Sequence, residues 1–485
     1  MPGIYTFYDW RNLDPAQYPF VVGGHMVFGW RVIEGTQQGV YYWQPVDEWL
    51  GEEASLGKPA VLGFNSYDGQ CCGGHWLPQW FMQRHPDSYV TCPGGVVIPK
   101  YWSSAYLQAW NQLVQAAAAR YDTDPRVAWV EVSVGAYGET SPAEDAYTSC
   151  LASNGLTSQL WVQTVNAISD MYRAAWRNKP VLLQYAPFFL DRNERRQFTD
   201  HAASTGVGLK HNKLLVDHDD QVIDDPTYAF YRAGQYDPMF TFSGQVPMAW
   251  EAYRDYFPSE TDTYWGFLNA LNKHPTYFLV TYSLLSTASP LEAQTMHFVN
   301  RYAGRTLEDT PSVWIALRET ESTWYPQRGN FDFWLYQHDD VPGGRTVPLW
   351  RATAAPQGRY ARRTDGANGN PYMYFDVDDG YILGGRHAVS LTVTYLDQGR
   401  DAWELQYDAV DDPHAVALRV QKQNTGQWRT VGKQLSDAHF ANRQEGGANH
   451  LGHDFRLWNA NDGDDVFHFL NVVRIHGGET VSVTL

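Results

Sequence analysis

The sequence predicts a (β/α)8 TIM barrel over residues 1–305 followed by an all-β, jelly-roll-like sandwich over 306–485, and three observations carry this reading. At 485 residues the chain is too long for one ordinary domain, whereas a barrel of roughly 250 to 300 residues plus a β-domain of roughly 150 fills it. Up to Arg305, short β-branched or aromatic runs alternate with longer helical patterns, the rhythm of βα units. Past Arg305 the helical patterns vanish, apolar alternation becomes dense, and Gly, Asp and Asn cluster at turn positions, as in a sandwich.

Taken in order, the barrel strands are expected at 20–30 (FVVGGHMVFGW), 59–65, 127–134 (VAWVEVSV), 180–186, 206–211, 246–251 (VPMAWE) and 276–283. Helical periodicity fills 45–55, 104–120, 156–177, 193–204, 262–272 and 290–303. Seven strands leave one to find, and VVIP at 96–99, inside the long stretch 66–103, is the candidate for the third. On that count 127–134 is the fourth strand and 246–251 the seventh. The sandwich strands are expected at 312–319, 331–337, 372–377, 389–396, 402–409, 415–421, 455–460, 466–475 and 480–485. With no repeat or low-complexity linker, the two domains are expected to pack directly.

Composition narrows the function. The net charge of −18, from 36 basic against 54 acidic residues, repels phosphate backbones and anionic lipid, which argues against a nucleic-acid or membrane partner. No run is apolar for long enough to span a bilayer. Aromatic residues make up 15%, including 20 Trp and 31 Tyr, more than a core requires, and such rings stack on the apolar faces of sugars. Four cysteines, Cys71, Cys72, Cys92 and Cys150, show no paired zinc spacing and suggest one disulfide from Cys71 or Cys72 to Cys92. The start MPGIYTFYDW is no signal peptide. The expectation is a secreted or extracytoplasmic protein whose leader lies outside this sequence, with a cytoplasmic one as the alternative. Homo-oligomerisation is left open.

Cleavage of a glycosidic bond needs two carboxyl groups, and a barrel presents such groups at the C-terminal ends of its strands. RVAWVEVSVGAYGET (126–140) runs as a strand into a turn with Glu139 at its tip, where Gly135 and Gly138 permit a tight reversal. GQVPMAWEAYRDYF (244–257) ends its apolar run in Glu251, a costly place for a carboxylate without function or partner. Strands four and seven face each other across the mouth, so Glu139 is expected as acid/base and Glu251 as nucleophile. The plainer readings are a solvated loop glutamate for Glu139 and an ion-pair partner of Arg254 for Glu251. Glu319 and Glu321 compete for the nucleophile's role. A substrate cleft is expected from Trp30, Arg31, Asn65, Tyr67, Trp76, Trp80, Tyr137, Tyr185, His211, Asn212, Trp250 and Tyr282, with the 66–103 connection as a lid or a neighbour's subsite. Glu34 is expected to be structural.

Histidines 25, 75, 85 and 211 lack zinc-binding spacing, and DVDDG (376–380) and NDGDD (461–465) read as solvated turns rather than calcium loops. No metal or cofactor is expected. Trp350, Trp403, Trp428 and Trp458 default to core positions.

The order of these pieces resembles clan A of the glycoside hydrolases, especially the family 42 β-galactosidases. The residues carrying the likeness are VFGWRVIEGTQQGVYYWQPVDEWL (27–50), similar to that family's first strand and its W-x-x-x-E-P-x-x-G-x-Y segment, WLPQWFMQRHPD (76–87), and YLQAWNQLVQAAAARYDTDPRVAWVEV (106–132). The likeness covers roughly 20 to 305 in pattern. It implies a retaining β-glycosidase acting on oligo- or polysaccharides, with galactose as the sugar, and a C-terminal domain like a carbohydrate-binding module. Family members place an Asn before the acid/base glutamate, which contacts the sugar 2-hydroxyl; here that position is Gly138. A non-catalytic carbohydrate-binding protein on the same barrel is the alternative.

Overall fold

The computed structural model describes residues 1–216, 235–318, 329–349 and 360–475. Glu319, Glu321, Trp350 and the strand expected at 480–485 lie outside the described residues. The chain divides into two compact units, one formed by Met1–Pro258 and Lys273–Gly304, the other by Ser259–Asn272 and Arg305–Leu485.

The first unit is a closed barrel of eight parallel strands. They are β1 (Gly3–Phe7), β2 (Val21–Gly29), β3 (Ala60–Asn65), β4 (Val127–Val132), β5 (Val181–Gln184), β6 (Gly208–His211), β7 (Met248–Ala252) and β8 (Tyr277–Thr281). Two expectations need correction. The run GIYTF is the first strand, so 20–30 forms the second and 59–65 the third. VVIP at 96–99 is outside the barrel and pairs antiparallel with Tyr89–Cys92. The two changes cancel, which leaves 127–132 as β4 and 248–252 as β7. Five residues next to the N-terminus give β1 too little pattern to detect, yet Gly3–Thr6 are all buried, because β1 closes the ring between β8 and β2.

Side chains alternate along each strand, and the inward phase sets the interior in layers. One layer is apolar, built from Tyr5, Val61, Trp129, Leu182, Ala249, Tyr277 and Leu279. Two residues further along the same strands stand Phe7, Gly63, Glu131, Gln184, Glu251 and Thr281, with Lys210 from β6 among them. The polar residues therefore sit directly on an apolar floor. Gly63 makes room for them: a Cβ there would meet Val27 Cγ2 at 2.8 Å and Glu131 Oε2 at 3.0 Å.

The cysteines pair otherwise than expected. Cys71 bonds to Cys72 within one turn, and Cys92 bonds to Cys150. The short helix Thr148–Ser153 brings Cys150 to the hairpin with a Cα–Cα distance of 5.8 Å, a partner 58 residues away that spacing alone does not reveal.

In the second unit, a seven-stranded and a five-stranded antiparallel sheet enclose an apolar core that includes Ile315, Phe375, Leu391, Trp403, Phe455 and Leu470. The run expected at 331–337 is split at Trp334, whose φ is 58°, so that Phe331–Phe333 joins one sheet and Leu335–His338 the other. The longest strand, Gln427–Ala438, escaped the sequence reading because its residues are mostly exposed and polar. The helix Glu260–Leu271, which links β7 to β8 in the chain, belongs to this unit, where the Tyr264 hydroxyl lies 3.0 Å from His468 Nε2. Asp462 and Asp464 accept backbone N–H groups of Ala402 and Gly366, and Asp465 pairs with Lys422 at 2.7 Å. The carboxylates of NDGDD thus hold turns and strands together.

Two stability measurements check this packing. Gly63→Val should destabilise the protein by about 1–3 kcal/mol in urea unfolding, through overpacking and displacement of Glu131. Cys92→Ser with Cys150→Ser should cost about 4 kcal/mol, the chain-entropy value for a loop of that length, or less where native geometry relaxes.

Candidate active site

β4 leads into a turn, 133–141, that is tied to itself through Gly135 N–H to Glu139 O and Ala136 N–H to Ser141 O, both 2.8 Å. Tyr137 and Gly138 have φ of 58° and 81°, and a Cβ on Gly135 would strike the carbonyl oxygen of Ser141. Both glycines are therefore needed where they stand. Neighbouring loops fix the turn further: Tyr137 N–H donates to Tyr67 O at 3.1 Å, and Thr140 Oγ1 donates to Pro187 O at 2.7 Å. Glu139 is consequently held over the end of the barrel.

Glu139 Oε1 accepts two hydrogen bonds, from Asn212 Nδ2 at 2.7 Å and from Gln184 Nε2 at 3.1 Å. Burial raises its pKa to about 7, helped by the charge of Glu251 and opposed by Asn212, Gln184 and Lys210. A carboxyl tuned to that range can both give and take a proton near neutral pH.

Glu251, on the inward phase of β7, is 1% exposed. Lys210 Nζ lies 2.5 Å from its Oε1, and the Tyr253 hydroxyl donates to its Oε2 at 2.5 Å. Burial raises its pKa and Glu131 adds to the rise, while Lys210 and Tyr253 favour the ionised form. Lys210 is itself completely buried and also donates to Glu131 and, at 2.6 Å, to Gln184 Oε1. Burial alone would raise the pKa of Glu131, but Lys210 and His25 overcome it and hold the group at about 2.

The His25 tautomer follows from its contacts. Nδ1 accepts from the Tyr8 N–H at 3.3 Å, so Nε2 carries the hydrogen that donates to Glu131 Oε2 at 3.0 Å. Burial lowers its pKa, so the ring is neutral. One ammonium thus contacts two carboxylates, Glu131 and Glu251, while burial and the charge of Glu251 favour the protonated form of the third, Glu139. Tyr8, whose hydroxyl burial and these carboxylates hold protonated, completes the group.

The expected cleft residues divide into two sets. Asn212 touches Glu139; Asn65, at the end of β3, is buried. Arg31 is exposed, with its guanidinium 5.0 Å from the Trp76 ring centre, and Tyr137 and Tyr282 are half-buried, the latter under Arg11 at 4.1 Å. The other set packs away from the barrel interior. Trp30 is buried among Trp80, Phe81, Tyr106 and Trp110 and donates to Glu34 at 2.8 Å. Tyr185, His211 and Trp250 form one fully buried aromatic cluster with Tyr236. Tyr67 is buried with its hydroxyl on Glu144 at 2.6 Å. These rings have their faces covered by protein, so they shape the wall rather than offer a platform to a ligand.

The sequence reading missed Lys210, Gln184, Glu131, Tyr253 and Tyr8. The signal was the alternation itself: Gln184 and Lys210 precede the chosen Tyr185 and His211 by one residue, and a one-residue shift in phase exchanges the two faces of a strand. Among the described residues, no group of three or more His, Cys, Asp or Glu side chains is arranged to hold a metal ion, and no helix is long and apolar enough to cross a membrane.

No family model matches the chain, and no curated protein matches it in sequence. Solved structures do. The catalytic domain of a β-amylase from Paenibacillus polymyxa aligns at 9% identity over 62% of this chain and 97% of that one, with a TM-score of 0.43. A β-galactosidase from the psychrophilic Marinomonas ef1 aligns at 14% identity over 62% and 59% of the two chains, with a TM-score of 0.40. A β-galactosidase from the Antarctic haloarchaeon Halorubrum lacusprofundi aligns at 14% over 57% and 52%, with a TM-score of 0.34. The chain thus spans little more than half of the two β-galactosidases. What the site does rests on its own geometry.

Because the folded pKa of Glu139 lies above that of an unfolded glutamate, folding favours its protonated form. Its contribution to stability is present below about 4.3 and is lost as the pH rises through about 7. Glu139→Gln should therefore gain stability relative to wild type between pH 5 and pH 8, read from urea midpoints at the two values.

Proposed function

We propose that the chain is a retaining glycoside hydrolase that cleaves β-glycosidic bonds in oligo- or polysaccharides, with galactosides the first substrates to try. The observation that carries this reading is the pair of buried glutamates in one barrel mouth: Glu139 is held protonated up to about 7, while an ammonium and a phenol bind Glu251 and favour its ionised form against the effect of burial. Protonated Glu139 gives its proton to the departing glycosidic oxygen as Glu251 attacks the anomeric carbon and forms a glycosyl ester. Water, deprotonated by Glu139, then attacks that carbon, releases the sugar and restores both carboxyls. Tyr253 holds the nucleophile's other oxygen and limits its rotation.

A sugar entering the mouth would meet Trp76, Arg31 and Tyr137, whose residual exposure suits stacking and hydroxyl recognition. The second unit is read as carbohydrate-binding-module-like. There the half-buried Trp458 and Tyr372 rings stack at 6.4 Å, with Arg456 on Tyr372 at 4.2 Å.

The test is a panel of aryl β-glycosides offered to wild type, Glu139→Ala and Glu251→Ala, with and without azide. Glu251→Ala should lose hydrolysis and regain turnover with azide as an α-glycosyl azide. Glu139→Ala should lose about 10²–10⁴-fold on substrates with poor leaving groups and give the β-glycosyl azide. Equal activity in wild type and both variants would remove this pair from the mechanism. Sugar binding without any turnover would favour the non-catalytic reading.

A further inference from the structure

The glycosidase reading names the acid but not which of its oxygens delivers the proton, and the contacts around Glu139 decide that. Lys210 has donors only. Its Nζ, 2.6 Å from Gln184, must therefore face the amide oxygen, which turns the amide nitrogen to the other side. That nitrogen donates to Glu139 Oε1 at 3.1 Å, and Asn212 Nδ2 donates to the same oxygen at 2.7 Å. With two N–H groups directed at it, Oε1 has no room for a hydrogen of its own. We propose that Lys210, acting through Gln184, confines the acid proton of Glu139 to Oε2, so that Lys210 and Gln184 are positioning residues for proton delivery.

The proposal rests on the reading of Glu139 as the acid. It gives Lys210 two tasks. Directly it neutralises Glu251 and Glu131; through the Gln184 amide it orients the acid. The buried layer leaves little freedom to do otherwise, since Gln184 is 3% exposed and Lys210 is fully buried. The titratable groups facing Glu139 are Lys210 from β6, Glu251 from β7, Tyr253 just after it, Tyr8 after β1 and Tyr137 from its own turn. Of the partners acting on it, only Gln184 links it by hydrogen bonds to Lys210.

Gln184→Glu tests the arrangement with almost no change of shape. One carboxylate oxygen still accepts from Lys210, but the other now faces Glu139 Oε1 as an acceptor. The acid proton is then drawn into that contact and away from Oε2. The expected result is selective: kcat/KM falls about ten-fold or more for a p-methoxyphenyl glycoside, whose leaving group needs protonation. It changes by no more than about two-fold for a 2,4-dinitrophenyl glycoside, whose leaving group does not.

A readout independent of turnover is the titration of Glu139 by 13C NMR in glutamate-labelled protein, assigned with Glu139→Gln. Its midpoint should rise in Gln184→Glu, and also in Gln184→Met, where a donor to the ionised form is lost. Equal losses on both substrates with an unmoved midpoint would overturn the proposal and leave the glycosidase reading standing. If wild type hydrolyses nothing, that reading fails, and the titration still decides: a raised midpoint supports the Lys210–Gln184 orientation of Glu139, an unmoved one refutes it.

Discussion

A fully buried ammonium can persist only where anions and acceptors surround it, and Lys210 meets that condition with Glu131, Glu251 and Gln184. Those partners come from β4, β7 and β5, and Lys210 itself from β6. Four strands of the barrel must close in their observed order for this one charge to be satisfied. Removing the ammonium would leave two buried carboxylates facing each other, so the site depends on closure of the whole ring. The apolar floor beneath, with Trp129 and Tyr277 stacked at 5.2 Å, keeps water from reaching the charges from below.

Around that centre two residues depart from ordinary backbone geometry. Tyr8 and Tyr137, both with positive φ, follow β1 and β4 at the mouth, and such conformations persist where surrounding structure holds them. Tyr8 gives its N–H to His25, which orients Glu131; Tyr137 gives its N–H to Tyr67, which ties the Glu139-bearing turn to the loop after β3. The Cys71–Cys72 turn lies in that same loop, where the Cys71 sulfur is 3.5 Å from the Tyr137 hydroxyl. Gly63 supplies the space below, since any larger residue would push into Glu131.

Much of this was legible in one dimension. The alternation of strands and helices, the change of character after Arg305, and the two strand-end glutamates are local patterns, and local patterns survive without coordinates. Glu139 was visible because a glycine-flanked turn after a strong strand has few other uses. Glu251 was visible because a carboxylate closing an apolar run is expensive. Where an element carried little pattern, as in β1 or the polar strand Gln427–Ala438, it was missed, and VVIP was drawn into the barrel to make up the number.

The sequence by itself determined the fold class and singled out Glu139 and Glu251 as candidates, since period, turn chemistry and the cost of burying charge are written residue by residue. Only the tertiary structure decided the phase of each strand. That phase put Lys210 and Gln184 inside the barrel while turning His211, Tyr185 and Trp250 into its outer wall. It also decided the partner of Cys92, the second-unit membership of the helix Glu260–Leu271, and the protonation of Glu139. The physical reason is common to all of these. A hydrogen bond, an ion pair or a disulfide joins residues by position in space, and closure of the ring brings Lys210 to Glu131, 79 positions away, as directly as a helix brings a residue to its fourth neighbour.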